Sequence, residues 1–431
     1  MKRLTILTPF TLLASLLIFS NAFADENAER TAVAAQEWRS YVEPMLTMGE
    51  HAVSQMPDAQ DPLQRQEVYR QLFSGLSAGY LALLHADPDH PDFWPIFNMA
   101  YNYFAPNPDD AYYATPINPD GVYKISGYRG TVHMVDFQLA TGLLVTRGSG
   151  GLGPVYGNFD LDKLHIKKDG SFEVVLSAER PAGYKGDWWK LDARAKADPI
   201  ATYLLVRQIS YDWLHEVDGR FAIERLDVPA VKPRPTAQQI EANLRQISVF
   251  AENWTLFSLK WIKRYEDKGL VNKLVVHDLT ANGGLSTQKY IEGLYDINAD
   301  EALIYETEIP RHCRYWNIEL TDRLWAAVDY VNRQSHLNGY TAKLGKDGKF
   351  RAVISAADPG VPNWLDNGGY GKGMLFGRWT ECDSMPIPTL TRVKLADVRK
   401  YLPAETPVVS AEARDAAIRL RRKGAQLRRR W

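Results

Sequence analysis

The residues best suited to do chemistry are concentrated between Arg314 and Trp379. This stretch mixes large aromatic rings with guanidinium groups, carboxylates and amides, more polar chemistry than a sheet core requires. An indole ring covers the C–H surface of a sugar, while amide and guanidinium donors bind its oxygens or a carboxylate. We therefore predict an aromatic and arginine-lined cleft for a small polar or carbohydrate-like ligand. Its predicted binding residues are Arg314, Trp316, Asn332, Asn338, Asn363, Trp364 and Arg378.

Candidates for proton transfer occur in the same stretch. Asp358 and Asp366 begin and end the segment DPGVPNWLD, whose prolines lower the entropy lost when the loop is ordered. Either carboxyl could act as a general acid or base, Tyr330 or Tyr315 as a proton donor, and Arg333 or Arg378 as the cation that stabilises developing negative charge. Such a set would suit a hydrolase or lyase acting on an oxygen-rich substrate. Whether the protein is an enzyme stays open.

The same residues also have a structural interpretation. Buried Arg–Asp pairs and Asn side chains often tie irregular loops to a sandwich, and tryptophans often fill cores. A ligand-binding protein should hold Trp364, Arg333 and Asp366 around one open cavity. A non-catalytic cell-envelope interaction or structural protein should bury them with their polar atoms paired. In the first half of the chain, Asp212 and Arg207 are a second candidate pair, with the anchoring of a turn as the alternative.

Other chemical motifs are weak or absent from the sequence. Residues 148–153 read G-x-G-x-x-G, but Pro154 and Gly157 follow where a dinucleotide-binding fold requires a helix, so we predict a loop and no cofactor. No G-x-S-x-G motif occurs, and no S-x-x-K set of the penicillin-binding type is present. The nine histidines lack zinc-site spacing, and no metal site is predicted. The two cysteines, Cys313 and Cys382, are a candidate disulfide that the sequence leaves undecided.

The N-terminus has the pattern of a secretory signal peptide. Lys2 and Arg3 precede an apolar run over residues 6–19, and an A-x-A sequence ends at Ala24. Because the run is shorter than the ~20 residues that span a bilayer, we expect cleavage after Ala24 and a periplasmic or secreted protein. Removing residues 1–24 takes two cations from the 51 Lys and Arg and none of the 52 Asp and Glu, which leaves a net charge of −3. This near-balance argues against nucleic acid as a partner.

The C-terminal tail is the strongly basic exception. From Ala411 onward it carries eight Lys or Arg against only Glu412 and Asp415. Its apolar residues recur at helical spacing, so we predict a basic helix. This helix is either solvated or in peripheral contact with an anionic envelope surface. The last arginines, Arg428 to Arg430, are expected to fray.

The elements that must position these residues change along the chain. Helical periodicity is typical of the N-terminal region and of residues 237–267, and period-two patterns elsewhere predict many short strands. This combination favours a mainly β fold with appended helices (α+β), in which two sheet-rich halves form a jelly-roll-like β-sandwich around a long amphipathic helix. The predicted divisions are a signal peptide (1–24), an N-terminal helical region (25–90), a first β-rich half (91–231), a linker and long helix (232–270), a second β-rich half (271–402) and a basic tail (403–431).

Several runs are specific enough to carry a family resemblance. In the first half they are GSFEVVLSAERP and LLVRQISYDWLHEVDGRFAIERL, and in the second RYWNIELTDRLWAAVDYVNRQSHLNG, ADPGVPNWLDNGG and LFGRW. With these runs the chain resembles, over residues 112–399, a bacterial family catalogued as domain of unknown function number twelve-fourteen. The resemblance implies an exported, jelly-roll-like sandwich with appended helices. It implies no accepted reaction.

Overall fold

The computed structural model describes residues 38–56, 59–143, 152–197 and 202–428. The predicted signal peptide and residues 148–151 of the glycine-rich loop lie outside these ranges. The α-helices are α1 (Arg39–Ser54), α2 (Pro62–Tyr80), α3 (Ala237–Asp267) and α4 (Ala411–Leu427). The strands are β1 (Trp94–Ile96), β2 (Asp110–Pro116), β3 (Tyr123–Tyr128), β4 (Met134–Ala140), β5 (Val155–Asp160), β6 (Ser171–Ser177), β7 (Asp187–Lys190), β8 (Tyr203–Ile209), β9 (Arg220–Arg225), β10 (Val275–His277), β11 (Gln288–Asp296), β12 (Glu301–Thr307), β13 (Cys313–Thr321), β14 (His336–Asn338), β15 (Phe350–Ser355), β16 (Trp364–Asp366), β17 (Lys372–Cys382) and β18 (Thr389–Lys394).

Local sequence signals explain where the longest helices begin. Asp61 caps α2 by accepting hydrogen bonds from the backbone N–H groups of Leu63 and Gln64. Thr236 caps α3 in a reciprocal arrangement with Gln239, in which each side chain accepts from the other residue's backbone N–H. This reciprocal arrangement is a capping box, and it satisfies backbone N–H groups of the first helical turn that have no partner within the helix. The predicted bounds of the long helix, residues 237–267, agree with α3.

The strands form four sheets, arranged as two sandwiches. In the first, the sheet β1-β2-β8-β4-β5 packs on β7-β6-β3-β9, and in the second β10-β11-β17-β13-β14 packs on β16-β15-β12-β18. The strand pairs are antiparallel except for β6 with β7 and β15 with β16. The predicted class, mainly β with appended helices and two sheet-rich halves around a long helix, is confirmed.

One sheet of the first sandwich is buried on both faces. Along β8 the side chains alternate between the two faces, as strand geometry requires. Leu204 and Val206 fill the core of the first sandwich, whereas Tyr203 and Leu205 belong to a separate core shared with the second half. Arg207 has the same parity as Tyr203 and Leu205, so strand alternation directs it toward the shared core.

The second sandwich mirrors this arrangement. On β17, Leu375 and Trp379 fill its own core, and Met374 and Phe376 belong to the shared core. Arg378 has the parity of the latter two. The shared core is completed by α3, with Phe250, Trp254, Trp261 and Tyr265 among its contributions. The two halves therefore meet across a layer in which a single arginine from each inner strand is directed toward the same space.

The two cysteines lie at neighbouring strand ends. Cys313 begins β13, Cys382 ends β17, and the two residues are directly opposite each other in the antiparallel ladder. Their sulfur atoms are bonded as a disulfide. The covalent link closes the end of the two strands that carry Arg314, Trp316 and Arg378.

The C-terminal helix corrects one prediction. Arg414, Arg421 and Arg428 are seven residues apart, which places them on one helical face, and this face packs on the protein. Arg414 pairs with Asp358 at 2.9 Å and Arg428 with Asp218 at 2.8 Å. The prediction of a solvated helix is therefore wrong for this face, and the expected fraying is wrong for Arg428; Arg429 and Arg430 lie outside the described residues. No helix in the described ranges combines the length and apolar character needed to cross a membrane.

Candidate functional site

The predicted residues of the polar stretch do not surround one cavity. Trp316 packs against Phe350 in the core of the second sandwich, with ring centroids 5.1 Å apart. Trp364 is also buried, and its Nε1 donates to the carbonyl of Ser355. The guanidinium of Arg414 lies 5.3 Å from the Trp364 ring centroid. Both indoles have structural partners, so neither ring presents an open face for a ligand.

The predicted amides fasten loops to their neighbours. Asn363 accepts from Lys343 N and donates to the carbonyl of Lys343. Asn332 donates to Asp329 and accepts from Arg422 of α4. Hydrogen bonds of this kind satisfy the backbone of irregular segments. Their arrangement matches the structural interpretation of the stretch.

Arg314 and Asn338 connect the two halves. Arg314 on β13 pairs with Asp160 of the first sandwich at 2.7 Å. Asn338 on β14 donates to Asp109, which precedes β2, at 2.8 Å. These two predicted binding residues are thus parts of the interface between the sandwiches.

The predicted acids have separate cationic partners. Asp358 pairs with Arg414, and Asp366 pairs with Arg333 at 2.9 Å. Tyr330 is buried in a small cluster with Trp213 and Ala425, near the C-terminal end of α4. The structure therefore does not assemble these residues into one catalytic set, and their individual roles stay predictions.

A different cavity lies where the two sandwiches meet, and it does contain Arg378. Its volume is about 60 Å³, enough for a few water molecules or a small anion. The first half contributes Asp110 and Tyr112 from β2 and Tyr203 and Arg207 from β8, and the second half contributes Gln288, Tyr290, Trp325 and Arg378. Arg207, named from the sequence as part of the second candidate pair, and Arg378 are therefore brought together, whereas Asp212 lies elsewhere.

The two guanidinium groups are buried, with Arg207 8% and Arg378 4% exposed. Arg207 donates to the side-chain oxygen of Gln138 and to the carbonyl of Gly283, both neutral acceptors. Arg378 donates to Glu319 at 2.6 Å. The buried carboxyls of Asp110 and Asp136 interact electrostatically with Arg207, but burial raises their pKa values to about 6 and about 7. Because buried charges are costly unless compensated, a bound anion would add to the compensation of the Arg207 charge.

Three buried polar atoms among the cavity's lining residues have no hydrogen-bond partner within the described chain: Asp110 Oδ1, Tyr203 Oη and Trp325 Nε1. Leaving a buried donor or acceptor unsatisfied costs about 1–3 kcal/mol. The hydroxyl and the indole N–H are donors, and the carboxylate oxygen is an acceptor. The cavity therefore offers both kinds of unused hydrogen-bonding capacity.

Burial also changes the acidity of the lining residues. It raises the pKa of Asp110 to about 6, although Arg207 and Arg378 act in the opposite direction. Burial raises the pKa of Tyr203 to about 12, so its hydroxyl stays a donor at neutral pH. Asp110 is thus a carboxyl that can exchange a proton near neutrality, a property typical of functional sites.

Sequence reasoning missed Asp110, Tyr203 and Gln288. Each lies in an ordinary strand pattern, where a polar or aromatic residue would be expected to face solvent or a sandwich core. A signal was present in β8, since LLVRQI places one arginine in a run that is apolar on both faces. A charged residue in a doubly buried strand needs a compensating environment.

Metal chemistry has no candidate site in the described part of the chain. No cluster of three or more His, Cys, Asp and Glu side chains is arranged there to hold an ion.

Comparison with solved structures supports the architecture. The crystal structure of an uncharacterised protein from Burkholderia cenocepacia matches with a TM-score of 0.76 and 27% sequence identity, over 85% of this chain and 99% of that chain. The VPA0106 protein from Vibrio parahaemolyticus aligns over 75% of this chain and 98% of that chain at 13% identity, with a TM-score of 0.40. The first match supports the assignment of this chain to a class of mainly β proteins with appended helices, because the two folds are similar over most of the chain.

No protein-family model matches the sequence, and no curated protein is similar to it.

Proposed function

We propose that the protein binds a small oxygen-rich ligand bearing a carboxylate, and that it does so in the cavity between the two sandwiches. The observation that carries the proposal is the convergence there of two buried guanidinium groups with three unpartnered polar atoms. The proposal keeps the small polar ligand and the aromatic and arginine lining that the sequence predicted. Of the predicted binding residues, Arg378 lines this cavity.

The chemistry of the lining favours a hydroxycarboxylate. A carboxylate accepts hydrogen bonds from guanidinium groups with favourable geometry and charge. Tyr203 Oη and Trp325 Nε1 are further donors for ligand oxygens, and Asp110 Oδ1 accepts from a ligand hydroxyl. The volume of about 60 Å³ suits a molecule of a few heavy atoms, such as glycolate or lactate, better than a complete sugar ring.

Processing of the ligand, of lyase type, would require a proton-transferring group. Asp110 is the carboxyl among the lining residues of this cavity, and its pKa of about 6 is efficient in general acid–base catalysis. The two arginines would stabilise negative charge that develops on the ligand. Turnover of a bound hydroxycarboxylate, lost in Asp110→Asn, is the measurement that separates an enzyme from a binding protein.

Binding is tested by thermal denaturation with glycolate, lactate, acetate and glucuronate. We expect a hydroxycarboxylate to raise Tm, because a ligand that binds only the folded state stabilises it by mass action. Arg207→Gln should abolish the shift. Tyr203→Phe should weaken binding about fivefold or more without loss of stability, since the hydroxyl that it removes has no hydrogen-bond partner among the residues that the structure describes.

Tyr401→Phe, at an exposed position, is the matched control and should retain the full shift. A shift that persists in both Arg207→Gln and Tyr203→Phe would place the ligand elsewhere. If none of the four compounds changes Tm, the competing class, a non-catalytic cell-envelope interaction or structural protein, becomes the better explanation. The pairing of Trp364, Asn363 and Asp358 within the fold favours that second class.

Export to the periplasm or the extracellular space is proposed on two grounds. One is the signal-like pattern of residues 1–24, and the other is the Cys313–Cys382 disulfide, because such bonds persist in oxidising compartments. Mass spectrometry of protein recovered from bacterial fractions is expected to find Asp25 at the N-terminus of exported material. Retention in the cytoplasm with residues 1–24 intact would contradict the proposal.

Membership of the family twelve-fourteen is also a proposal, supported by the sequence runs quoted above. A member of that family whose structure lacked the second sandwich would contradict it.

Contact of the basic tail with an anionic envelope surface is proposed only for the outer face of α4, which carries Arg419. Binding of the protein to anionic vesicles that was unchanged by Arg419→Glu would argue against it.

A further inference from the structure

A second cavity, of about 300 Å³, lies between α2 and the loops that follow β13. It shares no lining residue with the cavity between the sandwiches. Its chemistry comes from Glu67, Arg70, Gln71, Asp322, Asp329 and Arg333. The cavity is therefore an independent site with both acidic and basic groups.

Helix geometry positions the α2 side of this cavity. Glu67 and Gln71 are four residues apart and Ser74 follows three residues later, so all three lie on one helical face. Gln71 is only 5% exposed, and its Nε2 donates to the carbonyl of Leu324 at 3.1 Å. Its Oε1 has no partner within the described residues. The helix thus presents a buried acceptor that the protein itself does not satisfy.

Asp322 supplies a second acceptor from the opposite wall. Its Oδ1 accepts hydrogen bonds from the backbone N–H groups of Leu324 and Ala326, at 2.8 and 3.0 Å, which fixes the carboxyl at the start of the loop. Both of these hydrogen bonds are to Oδ1, so neither occupies Oδ2. Burial raises the pKa of Asp322 to about 7, and Glu67 acts in the same direction. A cation placed here would stabilise the ionised form.

The cationic groups of the cavity are more exposed. The side chain of Arg333 is 46% exposed and pairs through Nη1 with Asp366, which leaves its Nη2 available. Arg70 pairs with Glu67 and is exposed as well. The cavity therefore has unsatisfied acceptors in its buried part and guanidinium donors toward solvent.

We propose that this cavity binds a small zwitterion, a compound with a protonated amine and a carboxylate on one short carbon chain. The ammonium group, which has three donors and no acceptor, would donate to Gln71 Oε1 and Asp322 Oδ2. The carboxylate would accept from Arg333, as guanidinium groups bind carboxylates with charge-assisted hydrogen bonds. A volume of about 300 Å³ accommodates a molecule of amino-acid size.

The proposal is tested by titration calorimetry of the full chain with L-alanine, ethylamine and propionate. L-alanine carries both charges, and each of the other two probes carries one. We expect L-alanine to bind at least about tenfold more tightly than either single-charge probe. Asp322→Asn keeps an oxygen for the two backbone N–H groups and removes the charge, so it should fold and lose at least tenfold in affinity. Arg333→Gln should weaken L-alanine and leave ethylamine unchanged.

Asp383→Asn, at an exposed carboxyl, is the matched control. Arg207→Gln should also leave L-alanine binding unchanged, because Arg207 lies in the other cavity, so failure of this proposal and failure of the proposed function are distinguishable. The proposal is overturned if L-alanine does not bind, or if its affinity survives both Asp322→Asn and Arg333→Gln. Equal affinity for L-alanine and ethylamine would also overturn it.

Discussion

Arg378→Met is expected to lower the free energy of unfolding by about 3–5 kcal/mol, the typical cost of removing one partner of a buried ion pair. Arg378 donates to Glu319 at 2.6 Å, and both side chains are almost completely buried. The second carboxylate oxygen of Glu319 has no partner in the described chain, so the charge depends on Arg378. Burial raises the pKa of Glu319 to about 8 although Arg378 acts in the opposite direction, so without Arg378 the carboxyl takes up a proton at neutral pH and the loss includes this protonation. Urea denaturation followed by tryptophan fluorescence measures the loss.

The double variant Arg378→Met/Glu319→Leu is the informative comparison. It removes both charges together, and replacing a whole buried pair by apolar residues is often neutral or stabilising. We expect it to recover most of the stability lost in the single variant. Arg392→Met, which breaks an exposed pair with Glu301, should cost no more than about 1 kcal/mol. A double variant as unstable as Arg378→Met would contradict the explanation.

Asp109→Ala is expected to destabilise the protein by about 4 kcal/mol or more. The carboxylate accepts hydrogen bonds from Trp213 Nε1 at 2.8 Å, Tyr315 Oη at 2.6 Å, His336 Nε2 at 2.9 Å and Asn338 Nδ2 at 2.8 Å. Alanine would leave the buried donors of Trp213, His336 and Asn338 without this acceptor, each at about 1–3 kcal/mol, whereas the Tyr315 hydroxyl keeps Asn107 Oδ1. Although burial opposes the charged form, His336 and the other donors hold the pKa of Asp109 below its ordinary value. Equilibrium unfolding at neutral pH is the measurement.

Asp212→Ala provides the matched control for this network. Asp212 also accepts from backbone and side-chain donors, including Leu214 N and His215, but His215 is largely exposed and can hydrogen-bond to water instead. We expect that substitution to cost less than about 1 kcal/mol. Equal losses for Asp109→Ala and Asp212→Ala would mean that the buried network does not stabilise the fold. Asp109 belongs to the first half and Tyr315, His336 and Asn338 to the second, so its variant should loosen the two sandwiches from each other.

The candidate site was only partly predictable from the sequence. The kind of chemistry, arginines and aromatic rings around a small polar ligand, was suggested by the density of such residues between Arg314 and Trp379. Of the residues named there, Arg378 lines the cavity between the sandwiches. Others, such as Trp316 and Asn363, satisfy packing and loop hydrogen bonds. Residue type does not distinguish these outcomes, because a buried arginine and a ligand-binding arginine require the same kinds of partner.

The basic C-terminal helix illustrates the same difficulty. Its helical spacing was visible in the sequence, but the sequence-based interpretation treated its charges as one exposed set. Seven-residue spacing instead puts Arg414, Arg421 and Arg428 on a face that reaches Asp358, His336 and Asp218. Those partners are far away along the chain. A pattern within the helix could not identify them.

Short-range features of this protein were determined by the sequence itself. The period of the apolar residues specified α3 and most strands, and Asp61 and Thr236 mark helix starts, because these features depend on neighbours a few positions away. The tertiary structure alone decided that Arg207 and Arg378 line the same cavity, that Asp109 joins both halves, and that the two sandwiches share a core. Each of these depends on which sheet faces pack together, and the contacts responsible link residues more than a hundred positions apart.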